Sequence, residues 1–428
     1  MIKLVYDNWE NGKPIENGVN NTIGLHESYF QSGENTDIND LLTALKNDGY
    51  EIENIRLEDV DENALYIVYH HCLPKQLVGL DRWILSEEVE EKIRTKNLKI
   101  IFLNLHESFD RMETQLKKLQ EFIIKRNLPE ENFYVLNNNS KLYDIKNKIK
   151  TKINVFKTNW LIEYMGLTNL KNIKIIANKK FLFLLHNRVP KSHRVSLLVL
   201  LKKFDLLKED IIDWSLPYPQ MPYLNPLCST HLPSGLNLDS VRNVNKFFIN
   251  IHSKELRPIY KELITKPKLS YYENDKNWFD NIDDAHNSAY WNEVKTFEES
   301  YINIITESHY HEADTHISEK TYRPFYCFQL PIFLATYRHI AKLREEHPDL
   351  YLFDDLIDHS YDNEIDDGKR LEMVANEIKR LSENRDTIYN YYIQNETKLV
   401  ENRNYIEQFI NNKTTLNYFK SLINNDTI

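Results

Sequence analysis

Apolar runs of strand length recur through the first part of the chain, at Ile2–Tyr6, Ala64–Tyr69, Lys99–Leu105, Asn132–Leu136 and Ile153–Phe156. Between several of them lie stretches with apolar residues at helical spacing, over Asp37–Asn47, Glu87–Lys96 and Asp110–Arg126. Alternation of this kind predicts βαβ units and a mostly parallel sheet. A second series starts at Phe181–His186, continues with a helix over Ser192–Leu207, and resumes with strands at Tyr301–Thr306, Leu330–Ala335 and Tyr351–Phe353. Beyond Lys369 the pattern is helical, with Leu371, Val374, Ile378 and Leu381 on one face. A polar, aromatic stretch over Asp213–Glu299 interrupts the second series, and its Pro217-Tyr218-Pro219 and Pro222-Tyr223 mark turns and extended loops.

One series gives way to the other near Trp160–Asn172. The pattern therefore predicts an α/β chain of two Rossmann-like domains, 1–165 and 166–385, followed by C-terminal helices over 386–428. A length of 428 residues suits two cores better than one. No run approaches the ~20 apolar residues of a membrane span. The opening Met1-Ile2-Lys3-Leu4-Val5-Tyr6-Asp7 reads as a strand, not as a signal peptide. Cys72, Cys228 and Cys327 are scattered and form neither a disulfide framework nor a metal knuckle. A reducing, cytoplasmic setting is the expectation. With 54 basic against 64 acidic residues the net charge is −10, which weighs against a nucleic-acid partner.

Ligands of open parallel sheets bind beyond the carboxyl ends of the strands, so the residues that follow each apolar run are the candidates. After Phe181–His186 comes Asn187-Arg188-Val189-Pro190-Lys191-Ser192-His193-Arg194, where Pro190 and Ser192 suit a helix start. Basic side chains at a helix N-terminus fit a phosphate or diphosphate, although the same pattern also makes a solvated turn. After Tyr301–Thr306 comes Glu307, then a loop with His309, His311, Glu312, Asp314 and His316, then Ser318-Glu319-Lys320 as a capped helix start. A carboxylate there accepts bonds from ribose or sugar hydroxyls, and the adjacent ammonium neutralises phosphate. The histidine spacing matches no defined metal motif, so no metal is expected. In the first half, His70 and His106 follow strands and are candidate acceptor contacts. Glu107 is a candidate general base, or else caps the helix that starts near Asp110.

In order, Asn187-Arg188 with Arg194, Ile304-Ile305-Thr306-Glu307 and Ile317-Ser318-Glu319-Lys320-Thr321 resemble the α-1,3-fucosyltransferase family and related viral and bacterial glycosyltransferases. The stretch Leu352–Asp362, with Asp366 and Arg370, extends the likeness, which covers roughly Lys180 to Leu381. Thr321 stands where an apolar residue is usual, and 9 glycines in the chain leave no Gly-rich phosphate loop. The resemblance implies a GT-B arrangement, two Rossmann-like domains facing a cleft, and transfer of a sugar from a nucleotide-sugar donor to a hydroxyl of a carbohydrate or other acceptor. It puts Arg188 and Lys320 on the diphosphate and Glu319 on ribose or sugar, with Asn187, Arg194 and Glu307 in the donor site. The reaction is displacement at the anomeric carbon, with Glu107 as base if configuration inverts, and it needs no cofactor because protein cations neutralise the leaving group. Two other readings stand beside it: glycosylation of modified DNA bases, and a non-catalytic carbohydrate- or protein-binding module.

Overall fold

The computed structural model describes residues 2–6, 36–60, 64–69, 87–103, 112–139, 141–159, 163, 170, 172–187, 191–216, 255–265, 294–307, 310, 315 and 317–424. The chain divides into two compact units, 1–161 with 413–428, and 162–412.

The first unit carries strands β1 (Ile2–Tyr6), β2 (Ile52–Arg56), β3 (Leu65–Tyr69), β4 (Lys99–Leu103), β5 (Phe133–Asn137) and β6 (Asn154–Lys157). They form one sheet in the order β2-β1-β3-β4-β5-β6, and every pairing is parallel. Residues of both parities along the inner strands are buried, among them Leu4, Val5, Tyr66, Ile67, Ile100 and Ile101. A parallel sheet covered on both faces requires this, which is why these strands read as unbroken apolar runs. Helices α1 (Thr36–Asn47), α2 (Glu87–Lys96), α3 (Met112–Lys125) and α4 (Leu142–Ile149) alternate with the strands. On α3 the buried Met112, Leu116, Leu119 and Ile123 trace a single helical stripe.

The second unit carries β7 (Phe181–His186), β8 (Ile212–Ser215), β9 (Ser300–Thr306) and β10 (Leu330–Leu334), again all parallel, in the order β10-β9-β7-β8. Its helices are α5 (Ser192–Lys203), α6 (Arg257–Thr265), α7 (Val294–Glu298), α8 (Glu319–Tyr326), α9 (His339–Glu346), α10 (Asp367–Ser382), α11 (Arg385–Gln394) and α12 (Glu396–Asn411). The last helix, α13 (Thr414–Asn424), belongs to the first unit. Its Leu416, Phe419 and Leu422 are buried, Tyr418 stacks on Phe156 at 3.7 Å between ring centroids, and Lys99 Nζ donates to the Leu422 carbonyl at 2.8 Å. The helical C-terminus is thus shared between the two units.

Two expectations change. Tyr351–Phe353 is a loop, not a strand: Phe353 has φ of 61°, in the left-handed region, and the segment is apolar because Leu352 and Phe353 fill the core. The helix that begins at Ser192 ends at Lys203, short of Leu207. Asp205 turns left-handed at φ 62°, and Leu206 N donates back to the Leu201 carbonyl at 2.9 Å, closing the helix end. Among the described residues, no helix is long and apolar enough to cross a membrane.

Candidate functional site

In the second sheet the chain passes from β7 outward to β8 and returns as β9 on the opposite side of β7. Connections that leave two neighbouring strands in opposite directions open a crevice between their carboxyl ends. The residues there are Asn187 after β7, and Thr306 and Glu307 at the end of β9. The first turn of α5 and the first turn of α8 stand over them.

Asn187 is fully buried. Its Oδ1 accepts from Thr306 Oγ1 at 2.7 Å, and its backbone N–H donates to the Ser215 carbonyl at 3.2 Å. Its Nδ2 has no hydrogen-bond partner among the described residues. Arg194 is also buried and donates to the Thr306 carbonyl at 3.0 Å. His193 Nε2 lies 2.8 Å from the Glu307 carbonyl, a contact that requires the proton on Nε2, and its ring stacks on Tyr310 at 5.0 Å. Together these contacts tie the head of α5 to the end of β9.

The Glu307 carboxylate is wholly buried and is satisfied from the opposite bank. Ser318 Oγ lies 2.9 and 2.7 Å from its two oxygens, Ser318 N donates at 3.2 Å, and Thr321 Oγ1 donates at 2.5 Å. Thr321 Oγ1 in turn accepts from His339 Nε2 at 3.0 Å. Ser318 Oγ also accepts from Lys320 N at 3.2 Å, so it caps α8 as its position before Glu-Lys predicts. Polar Thr321 therefore has a purpose: an apolar residue at that position leaves Glu307 short of a donor.

Glu319 takes two cations, Lys320 Nζ at 2.7 Å and Arg323 at 3.2 Å. Burial by itself raises the Glu319 carboxyl, but Lys320 and Arg323 outweigh it and hold the group below its ordinary value. Burial also lowers the Arg323 guanidinium, against the pull of Glu319. The Lys320 side chain keeps 23% of its exposure where those of Glu319 and Arg323 keep 9% and 10%, so it is the cation of this trio nearest to solvent.

The structure thus brings Asn187, Arg194, Glu307, Glu319 and Lys320 to one sheet edge. His70, His106, Glu107 and Arg188 lie outside the described residues, as do His309, His311, Glu312, Asp314 and His316. Among the described residues no group of three or more His, Cys, Asp or Glu side chains is placed to hold a metal. The sequence pattern assigns no supporting role to Thr306, Thr321, His339 or Tyr310, which the structure places around Glu307 and Arg194. Tyr310 is itself held by α10, since its hydroxyl donates to the Asp367 carbonyl at 2.6 Å and its own carbonyl accepts from Arg370 at 3.0 Å.

The fold and this edge define an α/β protein of two Rossmann-like units with a polar network at the switch point of the second sheet. No protein-family model, curated protein or solved structure matches the chain.

Proposed function

We propose that the protein is a glycosyltransferase of GT-B type, and that the crevice between β7 and β9 takes the nucleotide-sugar donor. One observation carries the reading: among the described residues, those expected in the donor site, Asn187, Arg194, Glu307, Glu319 and Lys320, converge at the switch point of a parallel sheet, although more than a hundred positions of sequence separate Asn187 from Glu307. Open α/β sheets bind their ligands at such a point.

The chemistry divides among the residues. Buried Asn187 offers an amide donor after β7, and Arg188, which lies outside the described residues, is the cation that the resemblance puts on the diphosphate. Lys320 supplies a second cation from the head of α8. Cations and oriented N–H groups stabilise the charge that grows on a diphosphate leaving group, and one good donor of this kind is worth about 3 kcal/mol. Glu319, kept ionised by Lys320 and Arg323, is an acceptor for ribose or sugar hydroxyls. Glu307 and Arg194 act as internal struts that fix the distance between the two helix heads.

The direct test is incubation of the full chain with labelled nucleotide sugars, followed by release of nucleoside diphosphate in the presence and absence of simple sugar acceptors. Turnover of at least one donor, abolished by Lys320→Ala together with Arg188→Ala, is the expected result. Donor binding without hydrolysis or transfer favours the non-catalytic module. No binding and no turnover of any nucleotide sugar rejects the proposal.

A further inference from the structure

One strand away from the network just described, three polar residues sit together that neither the resemblance nor the proposed donor contacts use. His186 ends β7, and Ser215 and Asp213 lie on β8. The register pairs His186 with Ser215 and Leu184 with Asp213. In a parallel pair, register partners share a face, and residues two apart along one strand share it too, so all three side chains stand on the same side of the sheet. The Asp213 side chain is 1% exposed and that of His186 is 14% exposed, while Ser215 is completely buried.

His186 and Ser215 are poorly satisfied for their depth. Ser215 Oγ and His186 Nε2 have no hydrogen-bond partner among the described residues, and neither does the neighbouring Asn187 Nδ2. His186 Nε2 is 3.7 Å from Asp213 Oδ2, too far for a hydrogen bond. An unpaired buried hydroxyl or imidazole nitrogen costs ~1–3 kcal/mol, so native proteins rarely keep several together without a ligand, an ordered water or a catalytic use for them. The His186–Asp213 gap matches a shared hydroxyl. An oxygen ~2.8 Å from both atoms accepts from the imidazole N–H and donates its own proton to the carboxylate. Ser215 adds a group that donates and accepts, and of the three side chains that of His186 keeps the most exposure.

We infer that the carboxyl ends of β7 and β8 form a binding subsite for a polyhydroxyl ligand, in which His186 and Asp213 share one hydroxyl and Ser215 engages a neighbouring one. The hydroxyls belong either to the ribose of a nucleotide or to its sugar. The inference rests on the proposed function only for the choice of nucleotide probes.

The test reads the imidazole resonances of the full chain by NMR, with the His186 signal assigned through His186→Gln. The probes are ADP, GDP, UDP and CDP, the dideoxy form of whichever binds best, its sugar conjugates, inorganic pyrophosphate, and free ribose, glucose and fucose. A His186 signal that moves with the nucleotide but not with its dideoxy form assigns the ribose. A signal that moves only with the sugar conjugate or with free sugar assigns the sugar. Ser215→Ala separates binding from structure, because removing an unpaired hydroxyl leaves the melting temperature unchanged or raised. It should also weaken the active probe roughly five- to tenfold, the loss of one neutral hydrogen bond. Binding of pyrophosphate or nucleotide with a His186 signal blind to every hydroxyl-bearing probe overturns the inference and leaves the proposed donor site standing. The reverse pattern, response to free sugars but to no nucleotide or pyrophosphate, overturns the donor site and leaves this subsite. Silence toward all probes, or a lowered melting temperature with unchanged affinity in Ser215→Ala, rejects the subsite.

Discussion

Three donors converge on the Glu307 carboxylate: the hydroxyl and N–H of Ser318 and the hydroxyl of Thr321. Glu307→Ala strands all of them in a buried place and is expected to destabilise the protein by about 3 kcal/mol. Lys320→Ala leaves no comparable gap and is expected to lower stability by less than ~1 kcal/mol. Urea unfolding of the two variants checks the contrast, and equal losses contradict it. Glu319 has a different dependence. Its folded-state value is depressed by Lys320 and Arg323, so the unfolded chain takes up its proton first as the solution is acidified. The stability it contributes is complete above the ordinary carboxylate value of 4.5 and is lost as pH falls through the lower folded value. Glu319→Gln should therefore be clearly less stable than the native protein at neutral pH, and the difference should narrow below that value; a constant difference across pH rules this out. Lys179 runs the other way. Burial lowers its ammonium from 10.5 to about 7, against the pull of Glu298 and Glu299, while Nζ donates to the Glu298 carbonyl at 2.7 Å. Between those values the unfolded chain holds the extra proton, so stability rises with pH across that window. Lys179→Met should flatten the rise in thermal melts taken from neutral to alkaline pH.

At the scale of elements, residues that follow two strands, Tyr310 after β9 and Ala335 after β10, meet one guanidinium. Arg370, on α10, is buried and donates to the carbonyls of Ala335 at 3.0 Å, Glu364 at 2.8 Å and Tyr310 at 3.0 Å, and it pairs with Asp367. Arg370→Ala is expected to cost about 3 kcal/mol or more, since buried carbonyls lose charged donors. Hydrogen exchange should quicken first at Tyr310 and Ala335; protection that stays unchanged there shows that these residues hold without it. The inner strands were legible in the sequence because a strand covered on both faces is apolar at every position, as in Phe181–His186. The edge strands β2 and β8 were not. Ile52–Arg56 carries Glu53, Asn54 and Arg56, and Ile212–Ser215 carries Asp213 and Ser215, so neither makes an apolar run. The same limit hid His186 with Asp213 and Ser215: their meeting depends on the register between β7 and β8, which no local pattern encodes. By contrast, Asn187, Glu307 and the Ser318 cap could be found, because each directly follows a strand or precedes a helix in the sequence. Thr321 and His339 could not, since their roles arise only when α8 and α9 pack at the end of β9.

For the whole molecule, α13 is the last helix among the described residues, yet it belongs to the first unit and buries Leu416, Phe419 and Leu422. Removing 413–428 exposes Leu416, Phe419 and Leu422 sites and takes away the acceptor of Lys99, while the second unit keeps all its own strands. Calorimetry of the shortened chain should show the transition of the first unit lost or greatly lowered and that of the second retained; loss of the second alone contradicts the division. Titration calorimetry of the full chain with nucleoside diphosphates and their sugar conjugates decides whether the β7–β9 crevice takes a nucleotide-sugar donor, as proposed. Saturable binding by at least one nucleoside diphosphate is predicted, weakened by about 1.5–3 kcal/mol in Arg188→Ala, the worth of a hydrogen bond to a charged group. Absence of binding by every nucleotide tested, or an affinity that Arg188→Ala, Glu319→Ala and Lys320→Ala all leave unchanged, contradicts it.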